Sequence, residues 1–220
     1  MKPEIINFDK TPSLMSRYVR ELRDTSIQRD AMRFRRNLER IGEIMAYEIS
    51  KRLNYIKEVV TTPLATIECM DSDDKIVLAT ILRAGLPFHN GFLNYFDRAE
   101  NAFVSAYRKY KEKGDKFDVL IEYMASPDIN GKTLILVDPM LATGSSMELG
   151  YRALINNGNP QWIHIASIIA SQPAIDYVTN NFPAEKTTIW TAAIDPGINS
   201  HSYIIPGLGD AGDLAFGEKL

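Results

Sequence analysis

The polar and small side chains of residues 138–146 have the types and spacing to bind a phosphate group. Asp138 and Pro139 begin a turn that ends in Thr143, Gly144, Ser145 and Ser146. The aliphatic run before this turn predicts a strand buried on both faces, and the stretch after it predicts a helix to about Asn157. A loop between a strand and a helix N-terminus directs several backbone N–H groups at one spot, which suits phosphate.

Two arginines follow other predicted strands at equivalent positions. Arg83 follows a strand at residues 76–82, and Arg108 follows one at residues 102–107. Because the carboxyl ends of parallel strands share one crevice, we expect both arginines to lie near Asp138. The planar guanidinium fork suits phosphate, so the set predicts a ligand with more than one phosphate, bound with Mg²⁺. Asp138 repels phosphate, and a sugar diol, a metal or a metal's water shell is its expected partner.

The loop differs from two common phosphate-binding motifs. No Gly-Lys-Ser/Thr follows the strand, which argues against a Walker A loop, and no Gly-x-Gly-x-x-Gly follows it either. A site for a ribose 5-phosphate group is the alternative. In that reading residues 142–146 hold the 5-phosphate and Asp138 meets the ribose hydroxyls.

The elements that position these residues alternate between strand and helix from residue 76 to residue 192. That alternation predicts an α/β fold with a doubly wound, mostly parallel sheet. Before it, we predict an extended arm at residues 1–11, helices at 12–25 and 28–53, and a strand or hairpin arm outside the core at 55–70. After it, residues 206–213 are rich in Gly and Asp, and predict a rigid loop rather than a helix or central strand. A mobile loop or hairpin tip is predicted at 111–118.

Bulk composition limits the class of protein. The 220 residues predict a single domain, divided into N-terminal helices and arm (1–70), an α/β core (75–192) and a tail (193–220). The net charge of −3 argues against a nucleic-acid partner. The single cysteine, Cys69, favours a reducing compartment. The sequence contains no apolar run of about 18 residues, so we predict no membrane span and a cytoplasmic protein.

Four segments, in the expected order, resemble the uracil phosphoribosyltransferases, a type I phosphoribosyltransferase family. Residues 137–146 resemble the phosphoribosyl diphosphate (PRPP) motif in the form this family uses. Residues 207–213, with 203–206 before them and Phe216-Gly217 after, resemble its uracil-binding segment. Residues 82–86 and Tyr107-Arg108 match two further segments. The resemblance covers roughly residues 75–220, and implies a type I phosphoribosyltransferase-like fold with a C-terminal hood that binds the base.

The resemblance also implies roles for individual residues. Arg83 and Arg108 would contact the diphosphate of PRPP. The PRPP site as a whole would comprise Arg83, Arg108, Asp138, Pro139, Met140, Leu141, Ala142, Thr143, Gly144, Ser145, Ser146 and Asp210. Uracil would be held, largely through backbone groups, by Ile204, Gly209, Asp210 and Ala211. Arg108, Asp138 and Asp210 are the expected catalytic residues.

The reaction implied is uracil plus PRPP giving UMP and diphosphate, as in pyrimidine salvage. Mg²⁺ would bind together with PRPP, with Asp210 in contact with PRPP through the ion. No separate protein metal site is expected. The resemblance further implies a homodimer or higher homo-oligomer, formed through the N-terminal helices and the 55–70 arm, and a possible GTP effector. Two positions depart from the family pattern: Ser145 and Ser202 stand where glycine is common.

Two other readings remain open on the sequence. One is a type I phosphoribosyltransferase for another base, which the tail argues against. The other is a regulator that senses PRPP or a nucleotide and binds RNA or a protein, for which the arginines at 33–40 are the only hint. The three histidines are too scattered for a metal site. We expect a structural role for His164, whereas His201 lies near the proposed base site.

Overall fold

The computed structural model describes residues 2–110 and 117–219, and within them the side chains of residues 2–105 and 122–219. The strands are β1 (Glu4–Asn7), β2 (Tyr55–Thr61), β3 (Thr66–Ser72), β4 (Ile76–Leu82), β5 (Glu100–Tyr110), β6 (Phe117–Ala125), β7 (Thr133–Val137), β8 (Met140–Leu141), β9 (Trp162–Ser171), β10 (Thr187–Asp195), β11 (Gly197–Ile198) and β12 (Ile204–Ile205). The helices are α1 (Leu14–Arg23), α2 (Ala31–Ser50), α3 (Gly85–Leu93), α4 (Ser145–Leu154), α5 (Gln172–Asn181) and α6 (Ala211–Phe216). Most of the segment predicted as a loop at 111–118 lies outside the described residues.

A central sheet with the order β1-β10-β9-β7-β4-β5-β6 confirms the predicted fold class. All neighbouring pairs along this order are parallel except β5 and β6, which pair antiparallel at one edge. Every residue of β7 is buried, as its unbroken aliphatic run predicts for a central parallel strand. The short strand β8 pairs with the end of β9 and extends the sheet into the loop after β7.

Helices cover both faces of the sheet. On one face Leu38 and Ile41 of α2 and Phe88 of α3 pack in a core that includes Leu78 of β4. On the other face Met147 and Leu154 of α4 join Ile175 and Val178 of α5 in a second core. Two such layers fix the strand ends relative to one another. In the part of the chain that the structure describes, no helix combines the length and the apolar character needed to cross a bilayer.

The N-terminal segment differs from the predicted free arm, because β1 pairs parallel with β10 at the edge of the sheet. Its register runs from Glu4 opposite Thr188 to Asn7 opposite Thr191. The partner strand lies more than 180 residues away in the chain, so no local pattern could show the pairing. The expectation of extended backbone is confirmed, but the segment belongs to the sheet.

The predicted hairpin arm is confirmed. Strands β2 and β3 form their own two-stranded antiparallel sheet, with Tyr55 opposite Ser72 and Thr61 opposite Thr66. Every residue of β2 is exposed, and the arm carries apolar side chains into solvent, with Leu64 at its tip 97% exposed.

The tail forms more secondary structure than predicted. Strands β11 and β12 pair antiparallel, and the expectation of no helix after residue 206 is wrong, because α6 begins at Ala211. The helix forms because Asp210 caps it: its Oδ1 accepts a hydrogen bond from Asp213 N at 3.0 Å. Ala211 and Ala215 are buried, so a small apolar face compensates for the glycine in the first turn.

Candidate functional site

A cavity of about 720 Å³ opens beyond the carboxyl ends of β4 and β7 and is closed on one side by the tail. Its walls come from three regions that the sequence singled out, namely the end of β4, the loop after β7 and the tail, together with Ser105 of β5. The lining residues are Ile81, Leu82, Arg83, Ala84, Ser105, Asp138, Met140, Ala142, Ser146, Ser202, Tyr203, Ile204, Gly209, Asp210, Ala211, Gly212 and Lys219.

The structure brings most of the predicted site residues to this cavity. Those in its wall are Arg83, Asp138, Met140, Ala142, Ser146, Ile204, Gly209, Asp210 and Ala211. Five others belong to the same loop but are not among the lining residues: Pro139, Leu141, Thr143, Gly144 and Ser145. The prediction for the Arg108 side chain falls outside the described side chains.

We call residues 138–146 the phosphate loop. Its first half is tied to the sheet: Met140 N donates to Asp138 Oδ1 at 3.2 Å, and Pro139 O accepts from Ile168 N and Ile169 N at 3.1 and 3.0 Å. Its second half is tied to the end of β9, because Ser171 Oγ donates to Ala142 O at 2.6 Å. The backbone of the loop is therefore held at both ends before any ligand binds.

Helix α4 begins with a glycine cap. Gly144 has a φ of +84°, in the left-handed region that glycine adopts most readily. Gly144 offers no side chain to the first-turn N–H groups, and Ser145 N–H donates to Thr143 Oγ1 at 3.3 Å. The N–H groups that follow, together with the helix dipole, suit an anion from the cavity. The Ser145 side chain is engaged within the loop, since its Oγ lies 2.8 Å from Thr143 Oγ1.

Arg83 lies at the mouth of the cavity and joins β4 to the tail. Its Nη2 donates to Asp213 Oδ1 at 3.0 Å and to Gly217 O at 3.2 Å. The side chain is 42% exposed, so its remaining donors face solvent at the cavity. The residue is thus in place for an anionic ligand and also positions the tail.

Lys219 is a cavity residue that sequence reasoning missed. Its Nζ lies 3.3 Å from Asp210 Oδ2, so the end of the tail folds back over the base-binding segment. Asp210 thereby caps α6 with one carboxylate oxygen and meets a lysine with the other. No motif indicates a role for Lys219. Its position nine residues after Asp210 in the same tail is the sequence feature that points to this contact.

A second group of missed residues holds the tail from behind. Arg23 pairs with Asp195 through two hydrogen bonds of 2.7 and 2.8 Å, and Arg23 also donates to Gly207 O at 2.9 Å. Asp195 in turn accepts from Gly207 N at 2.8 Å. Asp195 is 5% exposed, so this charge is buried only because its partners compensate it. The pair joins α1 to the start of the base-binding segment.

The environments of His164 and His201 differ, because the first is buried and the second is exposed. His164 Nδ1 accepts a hydrogen bond from Trp190 Nε1 at 3.1 Å, and burial lowers the pKa of His164 to about 4. This neutral, buried ring supports the structural role expected for it. His201 is exposed and does not line the cavity, although its neighbours Ser202 and Tyr203 do.

The chain does contain a Gly-Lys-Thr triplet, but it lies in the turn before β7. Lys132 pairs there with Glu100, and Thr133 Oγ1 donates to Asp74 Oδ1 at 2.8 Å. Because this turn is at the amino end of the strand, the triplet is on the opposite edge of the sheet from the cavity. It forms no Walker A loop.

Comparison with known proteins gives a family match and full-length relatives. Residues 11–218 match the family model for uracil phosphoribosyltransferase. The chain is 65% identical over 217 residues to the uracil phosphoribosyltransferase of Porphyromonas gingivalis, covering 99% of this chain and 100% of that protein. It is 36% identical over 219 residues to the enzyme of the same name from Pyrococcus furiosus, covering 98% and 91%.

Solved structures show the same fold. The AQ2163 protein of Aquifex aeolicus superposes with a TM-score of 0.86 at 27% identity, over 97% of this chain and 98% of that one. The orotate phosphoribosyltransferase of Mycobacterium tuberculosis, solved with PRPP, superposes with a TM-score of 0.53 at 10% identity, over 86% and 94%. The second likeness supports the fold alone. From the family match and its full-length relatives, the chain belongs to the uracil phosphoribosyltransferase family.

Proposed function

We propose that this protein transfers the 5-phosphoribosyl group of PRPP to uracil and releases UMP and diphosphate. The observation that carries the proposal is a single cavity walled by the phosphate loop, Arg83 and the Gly-Asp tail. Relatives that bear this enzyme's name match the chain over its full length. Nothing in the described cavity favours the regulator reading.

The phosphate loop and Asp138 are proposed to hold the ribose 5-phosphate half of PRPP. The amides of the first turn of α4 beyond Ser145, whose own N–H donates to Thr143 Oγ1, would bind the 5-phosphate, since Gly144 supplies them with no side-chain acceptor. Asp138 lines the cavity at the start of the loop, where its carboxylate can accept hydrogen bonds from ribose hydroxyls. Arg83, and Arg108 by the resemblance, would neutralise the diphosphate.

The tail is proposed to recognise the base. Ile204, Gly209 and Ala211 line the cavity, and the φ of Gly209 is +93°, so the backbone turns sharply there. Uracil presents two carbonyl acceptors and an N3–H donor along one edge. Backbone N–H and C=O groups can match that edge, whereas cytosine would set an amino group against an N–H and leave buried groups unpaired.

The reaction needs positioning more than it needs a nucleophilic side chain. Uracil N1 forms a bond to the anomeric carbon as the bond from that carbon to the diphosphate oxygen breaks, and the N1 proton is released. The transition state has oxocarbenium character, and the arginines stabilise the charge that builds on the leaving diphosphate. Enclosure by the tail limits the access of water to this centre.

Mg²⁺ is proposed to bind together with PRPP. Asp138 and Asp210 both line the cavity and would supply the hard carboxylate oxygens that Mg²⁺ prefers, with Asp210 Oδ2 then shared between the ion and Lys219. Among the described residues there is no cluster of three or more acidic, histidine or cysteine side chains, so PRPP oxygens and water would complete the ligand set. The ion, when bound, supplies further charge neutralisation on the diphosphate. The homo-oligomer, the GTP effector and the cytoplasmic location stay predictions.

An assay of the purified chain with PRPP, Mg²⁺ and labelled uracil tests the proposal. We expect UMP and diphosphate in equal amounts. Asp138→Asn should lower kcat/KM roughly 10- to 100-fold, because a charged acceptor for the substrate is lost. Asp97→Asn, at an exposed aspartate away from the cavity, is the control and should match wild type. PRPP binding without any UMP formation would contradict the proposal.

A further inference from the structure

Helix α5 touches the phosphate loop at several points without contributing a residue to the cavity wall. The first contact is made by Ser171, which caps the helix. Its Oγ accepts from Ala174 N at 3.0 Å and donates to Ala142 O at 2.6 Å. Ser171 is fully buried, so no water can replace this hydroxyl without rearrangement. One side chain therefore couples the start of α5 to the backbone of a cavity-lining residue.

The second contact is a close approach to Gly144. A Cβ atom at Gly144 would lie 2.8 Å from Tyr177 Cδ1 and 3.2 Å from Val178 Cγ2, both on α5. The Tyr177 ring thus packs directly on the backbone at the point where the loop becomes α4. Since the positive φ of Gly144 sets the direction of the first-turn amides, the ring supports the geometry on which phosphate binding depends.

The third contact reaches the first turns of α4. The hydroxyl of Tyr177 donates to Glu148 Oε2, and Arg152 Nε donates to Glu148 Oε1 at 2.7 Å. The hydrogen bond from Tyr177 and the one from Arg152 lower the pKa of the Glu148 carboxyl, against the effect of burial. An ionised carboxylate close to a phosphate site opposes phosphate binding, and these two partners keep its charge paired.

We propose that Ser171 and Tyr177 are positioning residues that hold the phosphate loop in the shape required by the 5-phosphate of the substrate. Ser171 acts through the carbonyl of Ala142, and Tyr177 acts through Gly144 and Glu148. Neither side chain touches the cavity, so neither is a catalytic residue. This inference rests on the proposed function, because it assumes that PRPP is the ligand of the loop.

The test measures the Kd of PRPP with Mg²⁺ by titration calorimetry, without uracil, alongside the KM of each substrate. Ser171→Ala should weaken PRPP binding about tenfold, because the loop loses a buried hydrogen bond. The KM for uracil and the kcat at saturating PRPP should stay unchanged. Ser171→Thr keeps the hydroxyl and should restore binding.

A matched control exists in the same helix. Thr179 is also buried, and its Oγ1 donates to Ile175 O and Asp176 O at 2.7 and 2.9 Å, within α5 and away from the loop. Thr179→Ala should lower the melting temperature as Ser171→Ala does, yet leave the Kd of PRPP at its wild-type value. This comparison separates a role in positioning from a role in stability alone.

Tyr177 gives a second, independent arm. Tyr177→Leu removes both the ring and the hydroxyl and should weaken PRPP binding, whereas Tyr177→Phe keeps the ring against Gly144 and should lose less. If wild type binds PRPP and both Ser171→Ala and Tyr177→Leu bind it equally well, the positioning role is refuted. If wild type itself fails to bind PRPP, the proposed function is refuted instead.

Discussion

Ser145 is the residue at which this chain departs most visibly from the pattern of the family it resembles. A side chain at the start of α4 could crowd a phosphate or add a donor to it. Ser145 is not among the residues that line the cavity, its hydroxyl lies 2.8 Å from Thr143 Oγ1, and its N–H donates to the same oxygen at 3.3 Å. The departure is therefore absorbed within the loop.

From this placement we predict that Ser145→Gly changes the KM for PRPP by no more than about twofold, the effect usual for a substitution outside the contacts. Steady-state kinetics at saturating uracil measures it, with Gly144→Ala as the comparison. The alanine variant should be impaired strongly, because its Cβ would meet the Tyr177 ring and because its φ is positive. A change of tenfold or more in the Ser145→Gly variant would place that hydroxyl in contact with substrate.

Single residues divide into those that local sequence can reveal and those that it cannot. Asp138 and Arg83 were predictable because each directly follows a buried strand, and such positions converge in a parallel sheet. Arg23 was not, because its partner Asp195 lies 172 residues away and nothing in α1 distinguishes it from other surface arginines. Lys219 was missed for a related reason, since only the fold of the tail brings it to Asp210.

At the scale of elements, the pair of strands β9 and β10 contains a buried titratable group. His164 of β9 is neutral because burial lowers its pKa from 6.5 to about 4, and Trp190 of β10 donates to its Nδ1. Between these two pH values the unfolded chain binds a proton that the folded chain does not. This site therefore does not reduce the free energy of unfolding above about pH 6.5. That free energy falls as the pH drops from about 6.5 towards 4.

We predict that wild type loses up to about 3 kcal/mol more stability than His164→Gln between pH 7.5 and pH 4, on the basis of the lowered pKa. Glutamine keeps an acceptor for Trp190 and cannot titrate. Urea unfolding at both pH values measures the difference, and effects of the acidic residues cancel between the two proteins. Parallel pH profiles for wild type and variant would show that His164 is not responsible.

The sequence predicts an element well where burial determines whether it forms. It predicts an element poorly where pairing with a distant segment determines this. The central strands follow from unbroken aliphatic runs, and β7 from Thr133 to Val137 coincides with its run. Strand β1 and helix α6 were missed, since one depends on an edge of β10 and the other on a capping aspartate in a glycine-rich segment. The hairpin of β2 and β3 was expected, but not the extent of its exposure.

At the scale of the whole molecule, that hairpin argues for an assembly. A two-stranded sheet is marginally stable in water by itself. This one exposes Val59, Leu64 and Ile67 to 72%, 97% and 56%, and such apolar surface is typical of an interface. We therefore expect a second copy of the chain to cover the arm, as the family resemblance implies.

The prediction is that wild type exceeds the 24.8 kDa mass of one chain in light scattering, and that Val60→Lys with Ile67→Lys shifts it to the monomer. These two residues lie opposite each other on one face of the hairpin. Asn156→Lys with Asn181→Lys adds the same charge at exposed positions elsewhere and should leave the assembly intact. A wild-type mass of one chain would show that the arm has no partner of this kind.

The proposed activity depends on which base the tail accepts. The most direct measurement is the specificity constant, kcat/KM, for uracil and for cytosine, with PRPP and Mg²⁺ held at saturation and the nucleotide product identified. We expect UMP from uracil and a specificity constant for cytosine lower by at least about 10⁴-fold, the discrimination that unpaired buried polar groups can give. Comparable turnover of cytosine, or of another base in place of uracil, would contradict the assignment.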